Sequence, residues 1–299
     1  AIASISRTGM DKETVNNCYI IDESRHLLGV VSLRGIVMAR EDARMQDIME
    51  TNVISVTTQE DQESVARLFS LYDLNVLPVV DTENRMVGIV TVDDAIDVIE
   101  EETTEDISKM AAITPSDRPY LKTSVWMLWK SRIPWLLLLM LSATFTGMII
   151  THFEGVLSFS IALTAAIPML MDTGGNCGSQ SSVTVIRSLS LGELHFKDLC
   201  KVWWKEARVA VMCGVTLAVA NFVKLLLIER VGVPIALTIC LTLCVTVFIA
   251  KMVGCTLPIL ADKLGFDPAV MASPFITTIV DALALLIYCG FAGMILGLA

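Results

Sequence analysis

Residues 160–187 read SIALTAAIPMLMDTGGNCGSQSSVTVIR, and this stretch decides the architecture. It is long enough to cross a bilayer, since a helix of about 20 mostly apolar residues suffices. Yet Pro168 interrupts it, and Asp172, Gly174, Gly175, Asn176, Ser179, Gln180, Ser181 and Ser182 follow. Pro168 has no N–H to donate, which frees the carbonyl of Thr164 one turn back. Polar or irregular backbone at membrane depth is tolerated only where it is buried in protein or lines a water-filled path. A lone anchoring helix offers neither. The stretch therefore predicts an α-helical polytopic membrane protein with a polar interior.

Four more apolar runs lie around it, at 133–151, 207–228, 231–260 and 269–298, so five spans are expected. The basic residues set the orientation. Arg118, Lys122, Lys130 and Arg132 precede the first span, and Arg187, Lys197, Lys201, Lys205 and Arg208 lie between the second and third. The other connections carry few bases. The N-terminal part is thus expected in the cytoplasm and the C-terminus outside. Trp126, Trp129, Trp135, Trp203 and Trp204 fall at the inner ends of spans, where amphipathic rings prefer to lie.

The fifth run contains FDPAVMASPFITTIVDALALLIYCGFAGMILG, with Asp281 near its middle and Thr277 one turn earlier on the same face. Pro274 frees the carbonyl of Val270. A charge at the bilayer centre costs about 2.5–3.5 kcal/mol even on the lenient scale, so a partner or a cation is expected. No base in this span can pair with Asp281; Lys251 in the fourth span is the available candidate, and such a pair would be merely structural. The other reading is a cation site on a conduction path. Magnesium suits it, being a hard ion that keeps most of its waters while touching one or two carboxylates.

Charge separates the two halves. Residues 1–132 hold 13 basic and 23 acidic side chains, whereas residues 133–299 hold 9 of each. An acidic soluble part therefore precedes a neutral membrane part. The acidic balance argues against nucleic acid. The chain opens without an initiator Met and with no apolar leader, partway through an element, which suggests an N-terminal truncation. The eight Cys form no CxxC and read as packing residues. No Walker motif, nucleophile elbow or HExxH is present, so no enzyme is expected.

The soluble part repeats at an offset of 59 residues, from Ile21-Asp22 through Leu33 against Val80-Asp81 through Val92. Each copy reads as strand, turn, strand ending near Gly, then Ser or Thr opening a helix. The pattern resembles a CBS domain, and two copies make a tandem pair in an α/β arrangement. The first copy (1–46) is incomplete, and the second occupies 47–102. A connecting helix at 103–132 and a transmembrane pore domain at 133–299 follow. Between Asp93 and Asp106 lie eight acids and no base. Asp94, Asp97, Glu101 and Glu105 share one helical face, where like charges cost a few tenths of a kcal/mol each. The run is either a solvated face or an ion sensor.

The run PMLMDTGGNCGSQSSVTVIRSLSLGEL (168–194) resembles the signature of the MgtE family of magnesium channels, as does DPAVMASPFITTIVDALALLIYCGF near the end. The resemblance covers nearly the whole chain; the family's N-terminal helical domain and the start of its first repeat are missing. It implies a homodimer in a bacterial inner membrane, with a pore lined by the second and fifth spans. Asp281 would be the pore carboxylate, and Asp172, Gly174, Gly175, Asn176, Gln180 and Thr277 would line the path. It also implies that intracellular Mg²⁺ binds among the CBS repeats, connecting helix and membrane domain and closes the pore. The matching acids are Asp61, Glu63, Asp73, Asp94, Asp97, Glu102, Glu105, Asp106 and Asp267. Family members can bind ATP at the CBS pair, which directs attention to Arg34. Two rival classes stand beside this reading: a CBS-regulated transporter of another ion, divalent or anion, and a membrane nucleotide sensor without transport.

Overall fold

The offset of 59 residues reappears as backbone geometry. In the computed structural model, which describes residues 2, 5, 7, 12–40, 42–116, 118–271 and 273–297, β1 (Asn17–Ile21) pairs antiparallel with β2 (Leu27–Ser32). In the second copy β3 (Val56–Thr57) lies parallel to β4 (Val76–Val80), which pairs antiparallel with β5 (Met86–Thr91). Both hairpins slip register at corresponding points, between Ile20 and Ile21 and between Val79 and Val80. Asp22 Oδ1 accepts from the backbone N–H groups of Ser24 and His26, and Asp81 Oδ1 accepts from those of Glu83 and Arg85. These side chains close the two turns, in which Arg25 and Asn84 take left-handed φ values of 68° and 61°. Leu27 N donates to Asn84 O and Met86 N donates to Arg25 O. The reciprocal bonds join the two copies turn to turn.

Among the described residues a one-turn helix at Met45–Ile48 and three longer helices complete this part: α1 (Leu33–Met38), α2 (Gln62–Tyr72) and α3 (Val92–Met110). Ser32 Oγ caps α1 by accepting from Gly35 N at 3.0 Å. β4, VLPVV, is buried along nearly its whole length because it is the central strand between β3 and β5. Val56, Phe69, Leu77 and Ala95 form the core beneath it. Each large apolar side chain buried there contributes about 1.5–3 kcal/mol. Contacts divide the chain into two units, Ala1–Thr103 and Thr104–Ala299, so the division falls within α3.

The helix α3 stops at Met110, where Ala112 turns left-handed and Ile113 N donates back to Ser108 O. The connecting segment expected as helix over 103–132 is thus helical to Met110 and again from Val125, not throughout. A short 3₁₀ turn at Tyr120–Lys122 comes before α4.

The second unit contains α4 (Val125–His152), α5 (Ile161–Ser190), α6 (Leu199–Leu227), α7 (Val233–Lys263) and α8 (Ser273–Leu296). Ser124 Oγ caps α4 by accepting from Met127 N, so this helix begins eight residues before its apolar run. Among the described residues four segments are long and apolar enough to cross a membrane: Val125–His152, Phe196–Leu227, Val233–Lys263 and Pro268–Leu296. The fifth expected span, α5, has the length at 30 residues but not the apolarity. α7 packs on α5 and α6, and α8 packs on α5 and α7. Leu163, Leu170, Ile239, Leu243, Val247, Ile276, Leu285 and Tyr288 fill the centre.

Two expected breaks are absent. α5 runs unbroken through Pro168 and its glycines. A single lost hydrogen bond is outweighed by packing on two neighbours. Pro274 lies in the first turn of α8, where its missing N–H would have no helical partner anyway.

Candidate ion site and acidic cluster

Asp281 sits on α8 with its Oδ1 buried and without a hydrogen-bond partner among the described residues. A buried carboxylate oxygen left without a partner is costly, because its desolvation is uncompensated. Lys251 does not offset it. The Lys251 ammonium lies 3.7 Å from Glu206 Oε2 and donates to Ser181 Oγ at 3.2 Å. The structural pair of Asp281 with Lys251 allowed by the sequence is therefore not formed.

Two sequence features place α5 beside Asp281. Gly174 and Gly175, expected on the pore lining, are buried on the face of α5 that meets α7 and α8. A Cβ at Gly175 would come 2.9 Å from the Thr277 methyl, and one at Gly174 would crowd Thr246 and Val280. From Gly174 to Gly178 the facing α8 positions run backwards, from Val280 to Ile276, so the two helices are antiparallel. That register carries Asp172 toward Asp281, and the two carboxylates are within electrostatic reach. The other face of α5 leaves Asp172, Asn176 and Gln180 exposed at four-residue intervals. A row of one carboxylate and two amides thus runs along α5 with its Asp172 end toward the unsatisfied Asp281, a set of oxygen donors suited to a hydrated hard cation.

Many of the expected regulatory acids have local structural partners. Asp61 is the N-cap of α2, accepting from Glu63 N and Ser64 N. Asp73 ends that helix in the left-handed conformation, φ 51°. Asp94 accepts from both the N–H and the hydroxyl of Thr91, and these bonds hold its carboxyl below the usual range. Glu102 accepts from Gln62 Nε2 at 2.8 Å. Asp97 is exposed. In the second unit Ser190 Oγ donates to Asp106 at 3.3 Å.

Glu105 and Asp267 are joined by a residue that the sequence reading passed over. Lys109 pairs with Glu105, one turn earlier, and lies 2.5 Å from Asp267. Burial opposes its charge, but the bonds to Asp267 and Glu105 outweigh that and hold its pKa above the ordinary value. The i,i+4 spacing of Glu105 and Lys109 was the available signal. Glu206 was also missed; its only sequence signal was a charge immediately before the apolar run of α6. Among the described residues, no three His, Cys, Asp or Glu gather as one metal-holding group. Arg34 lines an open concavity of about 510 Å³ with Asn16, Ser32, Leu33, Val37 and Met38.

Comparison with known proteins places these features in context. A family model described as MgtE, a divalent cation transporter, matches residues 167–291, and a CBS domain model matches residues 45–101. The magnesium transporter MgtE of Thermus thermophilus is 41% identical over 298 residues, covering 98% of this chain and 64% of that protein. That of Bacillus subtilis is 38% identical over 284 residues, covering 94% and 61%. The chain thus spans slightly less than two thirds of these relatives. A crystal structure of the cytosolic domain of the Mg²⁺ channel MgtE in complex with ATP is 48% identical over the aligned part. It covers 32% of this chain and 39% of that one, with a TM-score of 0.32.

Proposed function

We propose that this chain, similar over nearly its whole length to MgtE transporters, carries Mg²⁺ into the cell through a pore built on α5 and α8. The observation that carries this reading is the buried Asp281 oxygen, which has no hydrogen-bond partner among the described residues. In this reading Asp281 contacts the hydrated ion through its waters. Asp172, Asn176, Gln180 and Thr277 supply further oxygen atoms along the path. A polar row exposed on a single membrane unit has to be covered by protein or water. Two copies facing each other across a two-fold axis would cover it and would double the carboxylates. With the N-terminal unit in the cytoplasm and the C-terminus outside, the membrane potential drives entry. It contributes about 2.3 kcal/mol per charge per 100 mV, and twice that for a divalent ion.

Closure is the second part of the reading. Intracellular Mg²⁺ would bind the acids of the CBS unit and of α3: Asp61, Glu63, Asp73, Asp94, Asp97, Glu102, Glu105 and Asp106, with Asp267. At low Mg²⁺ these acids repel one another and the pore conducts; at high Mg²⁺ bound ions relieve the repulsion and it shuts. ATP would bind at the concavity beside Arg34, whose guanidinium suits a phosphate. Anion transport is disfavoured because the buried Lys251 is already paired with Glu206. A sensor without transport would have no use for an unpartnered carboxylate at mid-membrane.

The test is Mg²⁺ uptake into proteoliposomes by the wild type, Asp281→Asn and Asp281→Ala. Uptake should fall at least about tenfold in both variants, on the scale of a lost charged contact to the ion. Uptake unchanged in both would move the ion elsewhere.

A further inference from the structure

Glu206, Ser181 and Lys251 form a buried network across three helices, and the transport reading gives none of them a task. Ser181 on α5 donates to Glu206 Oε2 on α6 at 2.7 Å and accepts from Lys251 Nζ on α7 at 3.2 Å. The Lys251 and Glu206 side chains are only 5% and 16% exposed. Burying such a pair costs several kcal/mol per ion before the attraction is counted, and apolar replacements are often no less stable. Stability alone therefore gives no reason for this pair. What it adds is direction. Hydrogen bonds to charged groups fix distance and angle, whereas apolar helix faces in lipid slide and rotate with little preference.

The location gives that direction a use. Ser181 follows, by less than one turn, the point where α5 and α7 touch backbone to backbone: a Cβ at Gly254 would lie 2.2 Å from Gly178 O. Near the other end of α5, the hydroxyl of the buried Tyr288 on α8 donates to Leu163 O at 2.9 Å. Between these two fastenings lie Pro168, where the helix is weakened, and then Asp172, Asn176 and Gln180. A shift of one residue along α5 would turn this row by about 100°.

We propose that Glu206, Ser181 and Lys251 are positioning residues that clamp α5 to α6 and α7, and so set the depth and rotation at which α5 presents the row of Asp172, Asn176 and Gln180, its Asp172 end toward Asp281. The clamp is read from geometry; its consequence for ion passage rests on the transport reading. Discrimination of Mg²⁺ from Ca²⁺ depends on cavity size and ligand rigidity, so it is the property that a loosened α5 loses first.

A disulfide reports the position of α5 without any transport. Cβ atoms at positions 175 and 277 would lie 3.6 Å apart, within the range that a disulfide spans. In full-length protein carrying Gly175→Cys and Thr277→Cys, the rate of this crosslink is followed by mass spectrometry. Glu206→Gln, Lys251→Met or Ser181→Ala is then added. Each should slow the crosslink at least about threefold, near the low end of couplings within one buried network. Without the added cysteines, each should reduce Mg²⁺ over Ca²⁺ discrimination in proteoliposome flux by a similar factor. Glu206→Gln with Lys251→Met together should be no worse than the worse single change. Ser181→Ala removes one hydroxyl and serves where a charge variant fails to fold. Wild-type crosslinking in the folded variants would overturn the clamp whatever the flux does. A wild type that carries no Mg²⁺ would sink the transport reading instead, while the crosslink rates still decide the clamp.

Discussion

At the scale of single residues, the glycines of the GGN-x-GSQ stretch show why residue type alone does not assign a role. Gly174, Gly175 and Gly178 suggest an open, polar path, yet each is buried where α5 meets α7 or α8. Their task is close approach, in the manner of small residues at membrane helix interfaces. Asn176, between them, and Gln180, just beyond, are left exposed. Gly254 is the strictest case, because its absent Cβ would meet a backbone carbonyl that cannot swing aside. Gly254→Ala should therefore destabilise the membrane unit by about 1–3 kcal/mol, the usual cost of overpacking. A lowered thermal midpoint in detergent checks this, and a midpoint equal to the wild type would refute the packing role.

At the scale of elements, the two hairpins of the first unit rest on their turns. The hydrogen bond from His26 holds Asp22 below the usual carboxyl range, and the Arg85 backbone N–H does the same for Asp81. Groups whose folded pKa is depressed stabilise the fold above their unfolded value, about 3.9 for Asp. That contribution disappears as pH falls through the lower folded values. Thermal stability of the first unit should thus fall as pH drops below about 4. Asp22→Asn with Asp81→Asn should flatten this dependence while lowering stability at neutral pH. Thermal melts between pH 7 and pH 3, followed by circular dichroism, make the comparison. An unchanged pH profile in the double variant would show that other acids dominate.

At the scale of the whole molecule, the proposed valve asks the acids to respond to cytosolic Mg²⁺. Asp61, Asp73 and Asp94 already cap helices, so replacing them changes local stability along with charge. Asp97, Glu101 and Glu105 share a face of α3 and cap no helix, so they serve as the probe, with Glu105 also giving up its pair with Lys109. Neutralising the three with Asn or Gln should raise the Mg²⁺ concentration needed for closure severalfold, about 1 kcal/mol in binding. Conduction at low Mg²⁺ should persist. Patch recording or flux across a Mg²⁺ series reads both, and closure at the wild-type concentration would remove α3 from the sensor.

Sequence alone determined the features that depend on local order. Apolar runs marked the long helices, the 59-residue period marked the paired hairpins, and the acids and bases separated a charged unit from a neutral one. Asp281 was legible too, because a carboxylate in a long apolar run has no bland place to go. Tertiary structure decided what depends on neighbours distant in the chain. Lys251 could have met Asp281 or Glu206, since spacing along a helix does not say which face another helix covers. Continuity of α5 through Pro168 came from its packing on α7 and α8, which outweighed local propensity. The pairing of Lys109 with Asp267 joins residues 158 positions apart. No periodicity reaches that far; only the folded backbone brings two such charges within hydrogen-bonding distance.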